Sequence, residues 1–395
     1  MPASDLPSLL MPPPGWLTDA DAAFAAARER DVPLFLYWNI GWCPPCSRLN
    51  GTLFADPAFT MLAAAFVPLF ADGDAPGAQQ LAERLRLRSY PSLVVYRADG
   101  REITRLPCEL DAPRLLALLR IALDGAAASD TPRTLQDWQL LAHYAWDTDE
   151  GQLLKGRDLA ATLAGLRAAC PDPVLAARMD WLAGDARAAT GPVHPDLLIH
   201  HAAALAQAHR ATAPALLAAL VRLEADPGVH VLDRLAALRT RARIAPPPHD
   251  LLRELLRTRI ASALEEATTP PLRHAALNTA AGMLAEAGLA GEAELLLTGA
   301  LAGSHAPYYF MQTLAGLARQ RGDAGAALDW HERAWHAARG PSTRLQWGVN
   351  YLLALDALAP GDARIDALAS VLRAAGVVHQ RDRSQLERVR SLLER

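Results

Sequence analysis

Hydrophobic and polar residues follow two different patterns along the chain, and the change comes near residue 130. Over the first third, short apolar runs alternate with segments whose apolar residues recur at helical spacing. The runs predict strands at 32–38, 66–71, 92–96 and 102–106. Helices are expected at about 20–30, after residues 43 and 56, at 78–85 and at 112–124. This order predicts an α/β layer with a mixed sheet.

Beyond residue 135 alanine and leucine recur at helical spacing, and no convincing strand appears. We predict about a dozen helices there. Gly288 and Gly322 lie 34 residues apart, which is the tetratricopeptide period. Alanines follow both glycines at matched distances, where their small side chains let two helices approach closely: Ala293, Ala300, Ala327 and Ala334. The pattern predicts a tetratricopeptide-like helical solenoid, irregular at its start.

The two patterns predict two domains, at 14–125 and 135–395, joined by a small and polar linker at 126–134. With 51% apolar and 21% charged residues, the composition is that of a folded protein. The net charge is only −4 and no basic run stands out, so nucleic acid is not an expected partner. The first 16 residues lack a signal-peptide pattern, and no apolar run is long enough to span a membrane. We expect a cytoplasmic protein, or a periplasmic one if a leader has been removed.

Two cysteines follow the first predicted strand as Cys43-Pro-Pro-Cys46. This spacing at a helix start places both sulfurs on one turn, within reach of a disulfide. The first cysteine lies at the helix N-terminus, where partial positive charge favours a thiolate. Thiolate attack on a substrate disulfide gives a mixed disulfide, which the second cysteine resolves. We predict a redox-active dithiol, with Cys43 facing solvent and Cys46 turned inward.

The same cysteines also fit half of a zinc site or a pair of core thiols. A zinc site needs a second pair of ligands, whereas Cys108 and Cys170 are isolated and all 12 histidines lie after residue 142. The sequence shows no glycine-rich phosphate loop, nucleophile elbow or metalloprotease helix. The redox interpretation is therefore favoured, with neither a metal nor a cofactor expected.

The residues around the dithiol resemble thioredoxin. Trp42 precedes the first cysteine, and the pair Tyr90-Pro91 follows later in the chain. The stretch 50–57 more closely resembles the C-terminal redox domain of the DsbD family of membrane thiol–disulfide interchange proteins. The resemblance covers about residues 14–125 and implies a thioredoxin fold for them.

The resemblance also implies roles for individual residues. Cys43 would be the attacking thiol and Cys46 the resolving one. Pro91 would be a cis-proline that holds a substrate chain in extended pairing beside the sulfurs. Trp42 and Tyr90 would line the same substrate groove.

Two positions depart from the family pattern. The family usually buries a carboxylate six residues before the first cysteine, where it accepts the proton of the resolving thiol, and here that position is Tyr37. The DsbD-like domain has a second acidic group seven residues after that cysteine, and here it is Asn50. Resolution is therefore expected to rely on water or another group, and to be slow.

Cys108 falls where thioredoxins usually carry a glycine at the rim of the substrate groove. It is either an accessory thiol, with its sulfur within about 10 Å of Cys43, or a small residue that fills a tight position at a strand end. The packing interpretation is the favoured one.

These observations predict a protein thiol–disulfide oxidoreductase acting as a reductase. Its partners would be protein disulfides, a dithiol that exchanges electrons with it, and a protein or peptide held by the helical domain. Because Pro44 and Pro45 carry no N–H, few donors remain for the Cys43 thiolate, which favours a reductant-like potential. The alternative is a chaperone-like or scaffold protein with a weakly active thioredoxin domain, an architecture known for chaperedoxins.

Overall fold

The structure of the chain is a computed structural model. It describes residues 12–246 and 249–374, together with residues 387 and 391. The end of the predicted helical domain, 375–395, lies outside the described residues except at those two positions. For brevity we call residues 14–125 the head and residues 135–374 the body.

The head contains a four-stranded mixed sheet. Its strands are β1 (Leu34–Asn39), β2 (Val67–Asp72), β3 (Ser92–Tyr96) and β4 (Glu102–Leu106). They lie in the order β2-β1-β3-β4, with β1 parallel to β2 and the other neighbours antiparallel. All four strands lie within two residues of their predicted bounds, and the mixed sheet is confirmed.

Helices cover both faces of this sheet. They are α1 (Ala20–Arg30), α2 (Pro44–Gly51), α3 (Pro57–Leu62), α4 (Ala78–Arg84) and α5 (Ala112–Leu123). Successive side chains of a strand point to opposite faces. Phe35 and Tyr37 accordingly pack with α2, α3 and α5, whereas Leu34 and Leu36 pack with α1 and α4. The predicted thioredoxin-like α/β fold is confirmed.

The body is helical throughout its described residues, apart from turns and short 3₁₀ segments. Its helices are α6 (Leu135–Ala142), α7 (Leu159–Ala169), α8 (Pro173–Leu182), α9 (Pro195–Ala208), α10 (Ala213–Ala225), α11 (Val231–Ile244), α12 (His249–Glu266), α13 (Pro270–Glu286), α14 (Ala290–Ala300), α15 (Pro307–Gln320), α16 (Ala324–Ala337), α17 (Pro341–Leu358) and α18 (Arg364–Ala374). Consecutive helices pack on one another in a helical-repeat arrangement. Within the described ranges, no helix combines the length and the apolar character needed to cross a membrane.

The residues that predicted the repeat occupy helix ends and helix contacts. Gly288 and Gly322 follow α13 and α15 with φ of +76° and +80°, the left-handed conformation in which glycine commonly ends a helix. Three of the four alanines are fully buried: Ala293, Ala327 and Ala334. The prediction was wrong for Ala300, which is only half-buried because it is the last residue of α14. The tetratricopeptide type of the repeat stays a prediction.

The segment predicted as a linker packs against the head. Ala126, Ala127 and Ala128 contact the core that α2 and α5 cover. The Ala128 N–H donates to the Ile103 carbonyl at 2.9 Å, next to strand β4. Leu140, on the first body helix, is buried in the same core. The chain thus enters the body with its first helix anchored on the head.

Candidate functional site

The first turn of α2 brings the two cysteines together. Cys43 is the N-cap residue of this helix, and its Sγ accepts the N–H of Cys46 at 3.4 Å. Pro44 and Pro45 occupy the positions between them and donate nothing. The Cys43 thiol donates to the Tyr90 carbonyl at 3.5 Å. Both cysteines are free thiols, positioned for exchange chemistry on one helical turn.

Cys46 is buried in the same core as Cys43. Burial raises the pKa of the Cys46 thiol well above its usual value, because a thiolate loses its hydration there, and the neighbouring Cys43 raises it further. Cys46 is therefore a protonated thiol at neutral pH. It becomes a nucleophile only when a proton acceptor removes that proton.

Tyr37 and Asn50, the two positions that depart from the family pattern, meet each other beside Cys46. The Tyr37 hydroxyl lies 3.1 Å from Asn50 Oδ1 and 3.3 Å from the Cys46 carbonyl, both of which it faces as a donor. Burial raises the pKa of Tyr37 well above 10, and Cys46 and Cys43 add to the shift. The groups that replace the family's acids are thus neutral, and they hold the resolving cysteine's turn in place.

The residues expected to line a substrate groove surround Cys43. The Tyr90–Pro91 peptide bond is cis. The Tyr90 ring stacks on Trp38 with centroids 5.2 Å apart, and Trp42 meets the same ring edge-on at 6.2 Å. Pro91 is buried, while Trp42 and Tyr90 are half-buried. The sequence placed these groups together correctly, and their role toward a substrate stays a prediction.

The prediction that Cys43 faces solvent was wrong. Cys43 is 3% exposed and Cys46 is 2% exposed, so the two thiols are buried almost equally. Helix geometry alone leaves the capping position open, but Cys43 belongs to the buried core of the head and the body lies beside it. The Tyr309 side chain of α15 lies near Cys43. Burial, and to a smaller extent a negative charge on Cys43, raises the pKa of Tyr309 to about 12.

Trp42 contacts the body through both its ring and its indole N–H. Its ring stacks on Tyr309 at 5.7 Å with an interplanar angle of 16°, and it lies 5.0 Å from the Trp347 ring. Its indole N–H donates to Thr343 Oγ1 at 2.9 Å. Thr343 donates in turn to the Asp74 carboxylate through both its amide, at 2.9 Å, and its hydroxyl. One buried threonine therefore connects two loops of the head.

Two histidines of the body bind the backbone just before Cys43. His274 Nε2 lies 3.1 Å from the Trp42 carbonyl, and His305 Nε2 lies 2.9 Å from the Gly41 carbonyl. A carbonyl only accepts, so both Nε2 atoms carry the proton. Burial lowers the pKa of both rings, and His305 helps to lower that of His274 to about 3. The neutral rings are also in mutual contact, with centroids 4.6 Å apart.

The far end of α2 also rests on the body. Arg48 pairs with Asp233 of α11 at 2.8 Å, and both side chains are mostly covered. Gly51 lies so close to α13 that a Cβ placed on it would come within 2.5 Å of Leu272 Cγ. The helix that carries both cysteines is thus held by the body along its whole length.

Sequence analysis missed every one of these body residues. The hydrogen-bonded partners Trp42 and Thr343 are 301 residues apart, and the two histidines are 232 and 264 residues from theirs. A local motif cannot record contacts at such separations. The only available signal was the unusual concentration of aromatic residues and histidine at 305–310.

Cys108 packs against the same core as Cys43 and Cys46, so it lies on their side of the sheet. Its thiol donates to Glu109 Oε1 at 3.3 Å. Burial raises the pKa of Cys108 well above its usual value, and the Glu109 carboxylate adds to the shift. Cys108 is therefore a protonated, weak nucleophile, and its part in the chemistry stays a prediction.

The zinc interpretation requires further ligands close to the dithiol. His274 and His305 are the nearest histidines of the body, and their Nε2 atoms already serve the backbone. Within residues 12–246 and 249–374, no three side chains of His, Cys, Asp or Glu lie together so as to hold a metal ion.

The match to a protein-family model agrees with the fold of the head. Residues 15–98 match the model of a family described as thioredoxin-like. A thioredoxin from Thermus thermophilus is 28% identical over 26% of this chain and 82% of its own, with a TM-score of 0.24. A DsbH oxidoreductase is 17% identical over 29% of this chain and 91% of its own, with a TM-score of 0.25. No curated protein sequence matches the chain. The family match therefore assigns the head alone.

Proposed function

We propose that the protein is a thiol–disulfide oxidoreductase that reduces protein disulfides with Cys43 and Cys46. The observation that carries the proposal is the arrangement of these thiols on one helical turn. Cys43 Sγ accepts the Cys46 N–H at the start of α2, and both residues are buried. A helix N-terminus favours the thiolate form of a cysteine, which is the nucleophile in this chemistry.

The reaction proceeds in two exchanges. The Cys43 thiolate attacks one sulfur of a substrate disulfide, the substrate S–S bond breaks, and the released substrate thiolate takes up a proton. Cys46 then loses its proton and attacks the Cys43 sulfur of the mixed disulfide. That step forms the Cys43–Cys46 disulfide and releases the second substrate thiol. Two electrons pass to the substrate, and a dithiol donor must return them.

The second exchange is the slow one in this proposal. The Cys46 pKa is raised, and its neighbours Tyr37 and Asn50 are neutral. General-base assistance is commonly worth about 10²- to 10⁴-fold in rate, so a site that relies on water for it resolves its mixed disulfide slowly.

The body is proposed to hold a protein or peptide partner of the head. Helical-repeat domains present extended surfaces suited to such partners, and a tetratricopeptide-type repeat would provide one here. We place the protein in the cytoplasm, where a dithiol donor keeps thiols reduced.

A second candidate function is that of a binding protein whose head is weakly active. The burial of Cys43 under the body and the neutral pair beside Cys46 favour it. In this case partner binding would persist after both thiols are removed.

Reduction of insulin by dithiothreitol distinguishes the two functions. The wild type should accelerate it, and Cys43→Ser should fall to the uncatalysed rate. Cys170→Ser is the matched control, because Cys170 lies in the body away from the dithiol, and it should keep the wild-type rate. A wild type as slow as Cys43→Ser would favour the binding protein.

A further inference from the structure

The reaction proposed above requires a substrate sulfur to approach Cys43 in line with the bond it breaks. In the described structure this approach is closed, since Cys43 is 3% exposed. The side chains around the approach come from the body: Tyr309 stacks on Trp42, Trp347 packs against it at an angle of 48°, and Thr343 binds its indole. An extended chain beside Tyr90 and Pro91 would have to occupy the space that these groups fill.

The contacts that close the site are few and specific. They are the bonds of Thr343 to Trp42 and Asp74, the bonds of His274 and His305 to the Gly41–Trp42 backbone, the Arg48–Asp233 ion pair and the contact of Gly51 with Leu272. Each joins one residue of the head to one of the body. Together they hold the loop that precedes Cys43, the helix α2 that follows it, and the loop of Asp74.

The head and the body nevertheless keep separate apolar cores. Among buried residues, the two head cores contain one body residue, Leu140, which lies on the first body helix next to the linker. The body core beside the site takes only Trp42 from the head, as a partly buried member. Separating the two parts would therefore expose the Trp42 ring, the face of α2 that packs on α13 and the polar contacts, while the cores keep their own buried residues apart from Leu140.

We propose that the body is an intramolecular inhibitor of the head, which exists in a closed form and an open form. Trp42 seated on Thr343, Tyr309 and Trp347 defines the closed form. The open form frees Trp42 and the groove beside Tyr90 and Pro91. This inference rests on the proposed function, and it names the substrate that opens the site: an extended polypeptide disulfide, which competes with the body for the same groove.

Alkylation of Cys43 in the reduced, full-length protein tests the proposal, with the modified peptide identified by mass spectrometry. Iodoacetamide should modify Cys43 slowly in the wild type. Thr343→Val removes the hydroxyl that joins Trp42 to Asp74 and leaves buried polar groups unpaired, so the rate should rise by at least about tenfold. Thr240→Val is the matched control, because it removes a buried threonine hydroxyl whose bond to the Ile199 carbonyl lies inside the body. It should keep the wild-type rate.

A second pair of variants tests the same interface by changing the packing between α2 and α13. Gly51→Ala places a Cβ against Leu272 without touching a cysteine, so it should also raise the alkylation rate. Leu272→Ala in the same chain removes the clash and should return the rate toward wild type. This reversal guards against a variant that is merely misfolded.

Alkylation needs a thiol but no turnover, so it reports on closure even if the protein reduces no disulfide. If Thr343→Val and Gly51→Ala leave the rate unchanged, or if the wild type reacts as fast as a small exposed thiol, closure by the body is wrong. The rate of insulin reduction by the same variants then shows whether the body inhibits or assists the head. Faster reduction supports inhibition, whereas slower reduction means that the body assists the head and overturns the proposal.

Discussion

The head and the body differ in what their sequences disclose. In the head, the candidate redox residues form one local motif, Cys43 to Cys46. The apolar runs of the head also predict the four strands of its sheet. The body is a repetitive array of alanine and leucine with no such motif, yet it supplies His274, His305 and Thr343 to the loop that precedes Cys43. In the proposed inhibition, a domain without catalytic residues of its own decides whether a substrate reaches the dithiol.

This difference concerns the range of the interactions. The dithiol can be recognised from four consecutive residues, because both sulfurs must lie on one helical turn. Access to that chemistry depends on side chains far away in the sequence. The reactivity of the dithiol and its accessibility are therefore separate properties of the protein.

The largest effect is expected from Cys46→Ser, which acts on reactivity alone. The first exchange remains possible but resolution does not, so steady-state insulin reduction should fall by more than about 100-fold. A mixed disulfide on Cys43 should accumulate and be visible by mass spectrometry. Cys108→Ser serves as the control and should stay within about twofold of wild type if Cys108 only packs. A comparable loss in Cys108→Ser would make that residue part of the chemistry.

Ala327→Phe acts on the body. Ala327 is fully buried at a helix contact, and overpacking such a joint costs roughly 1–3 kcal/mol of unfolding free energy. Urea denaturation measures the change. Ala300→Phe should cost less, since Ala300 is half-buried at the end of α14. Equal losses in the two variants would argue against a close helix crossing at Ala327.

Asn50→Asp restores an acid beside the resolving thiol. The change is nearly isosteric, and the Tyr37 hydroxyl, 3.1 Å from Oδ1, still has an acceptor. A carboxylate there takes the proton of Cys46, so the mixed disulfide should decay roughly tenfold faster. Asn50→Ala, which removes the amide without adding a base, should not accelerate the decay. Stopped-flow measurement of substrate-thiol release resolves the step.

Acidification should favour the open form by a small factor. Closure keeps His274 buried with its pKa lowered to about 3, whereas opening returns it toward water and its usual value near 6.5. The neutral His274 ring therefore stabilises the closed form fully above pH 6.5, and this stabilisation is lost as the pH falls below 6.5. His305, whose pKa is also lowered by burial, acts in the same direction. Asp74 acts oppositely, because burial under the body raises its pKa to about 6 and protonation near pH 5 favours closure.

His274 and Asp74 together should change the equilibrium between pH 7 and pH 5 roughly threefold toward the open form, and His305 should add to that change. The measurement is the ratio of Cys43 alkylation rates in wild type and Gly51→Ala at each pH, which cancels the intrinsic titration of the thiol. The ratio should rise toward one as the pH falls. In Asp74→Asn the rise should be steeper, and a falling ratio would assign the dominant titration to Asp74.

The sequence predicted the head well and the environment of its site poorly. Four strands, the start of α2 at the cysteines and the cis bond before Pro91 were all expected, because each depends on neighbouring residues or on a specific family motif. The exposure of Cys43 was predicted wrongly, since helix geometry fixes the direction of a side chain but not what lies beyond it. Ala300 failed for a related reason: a repeat period locates a position along a helix, whereas burial depends on where that helix ends.

The most direct test of the account is the redox equilibrium of the dithiol. The protein is equilibrated with a series of glutathione buffers, and the fluorescence of Trp42, seated beside Cys43, follows the opening of the disulfide. Because Pro44 and Pro45 have no N–H, the Cys46 amide is the backbone donor to the Cys43 sulfur. With so few donors to stabilise a thiolate, the disulfide form is favoured. A midpoint near that of thioredoxin, about −270 mV, is the expected result for a reductase. A midpoint close to about −120 mV would mean that the protein donates disulfides, and the absence of any two-electron transition would contradict the redox assignment itself.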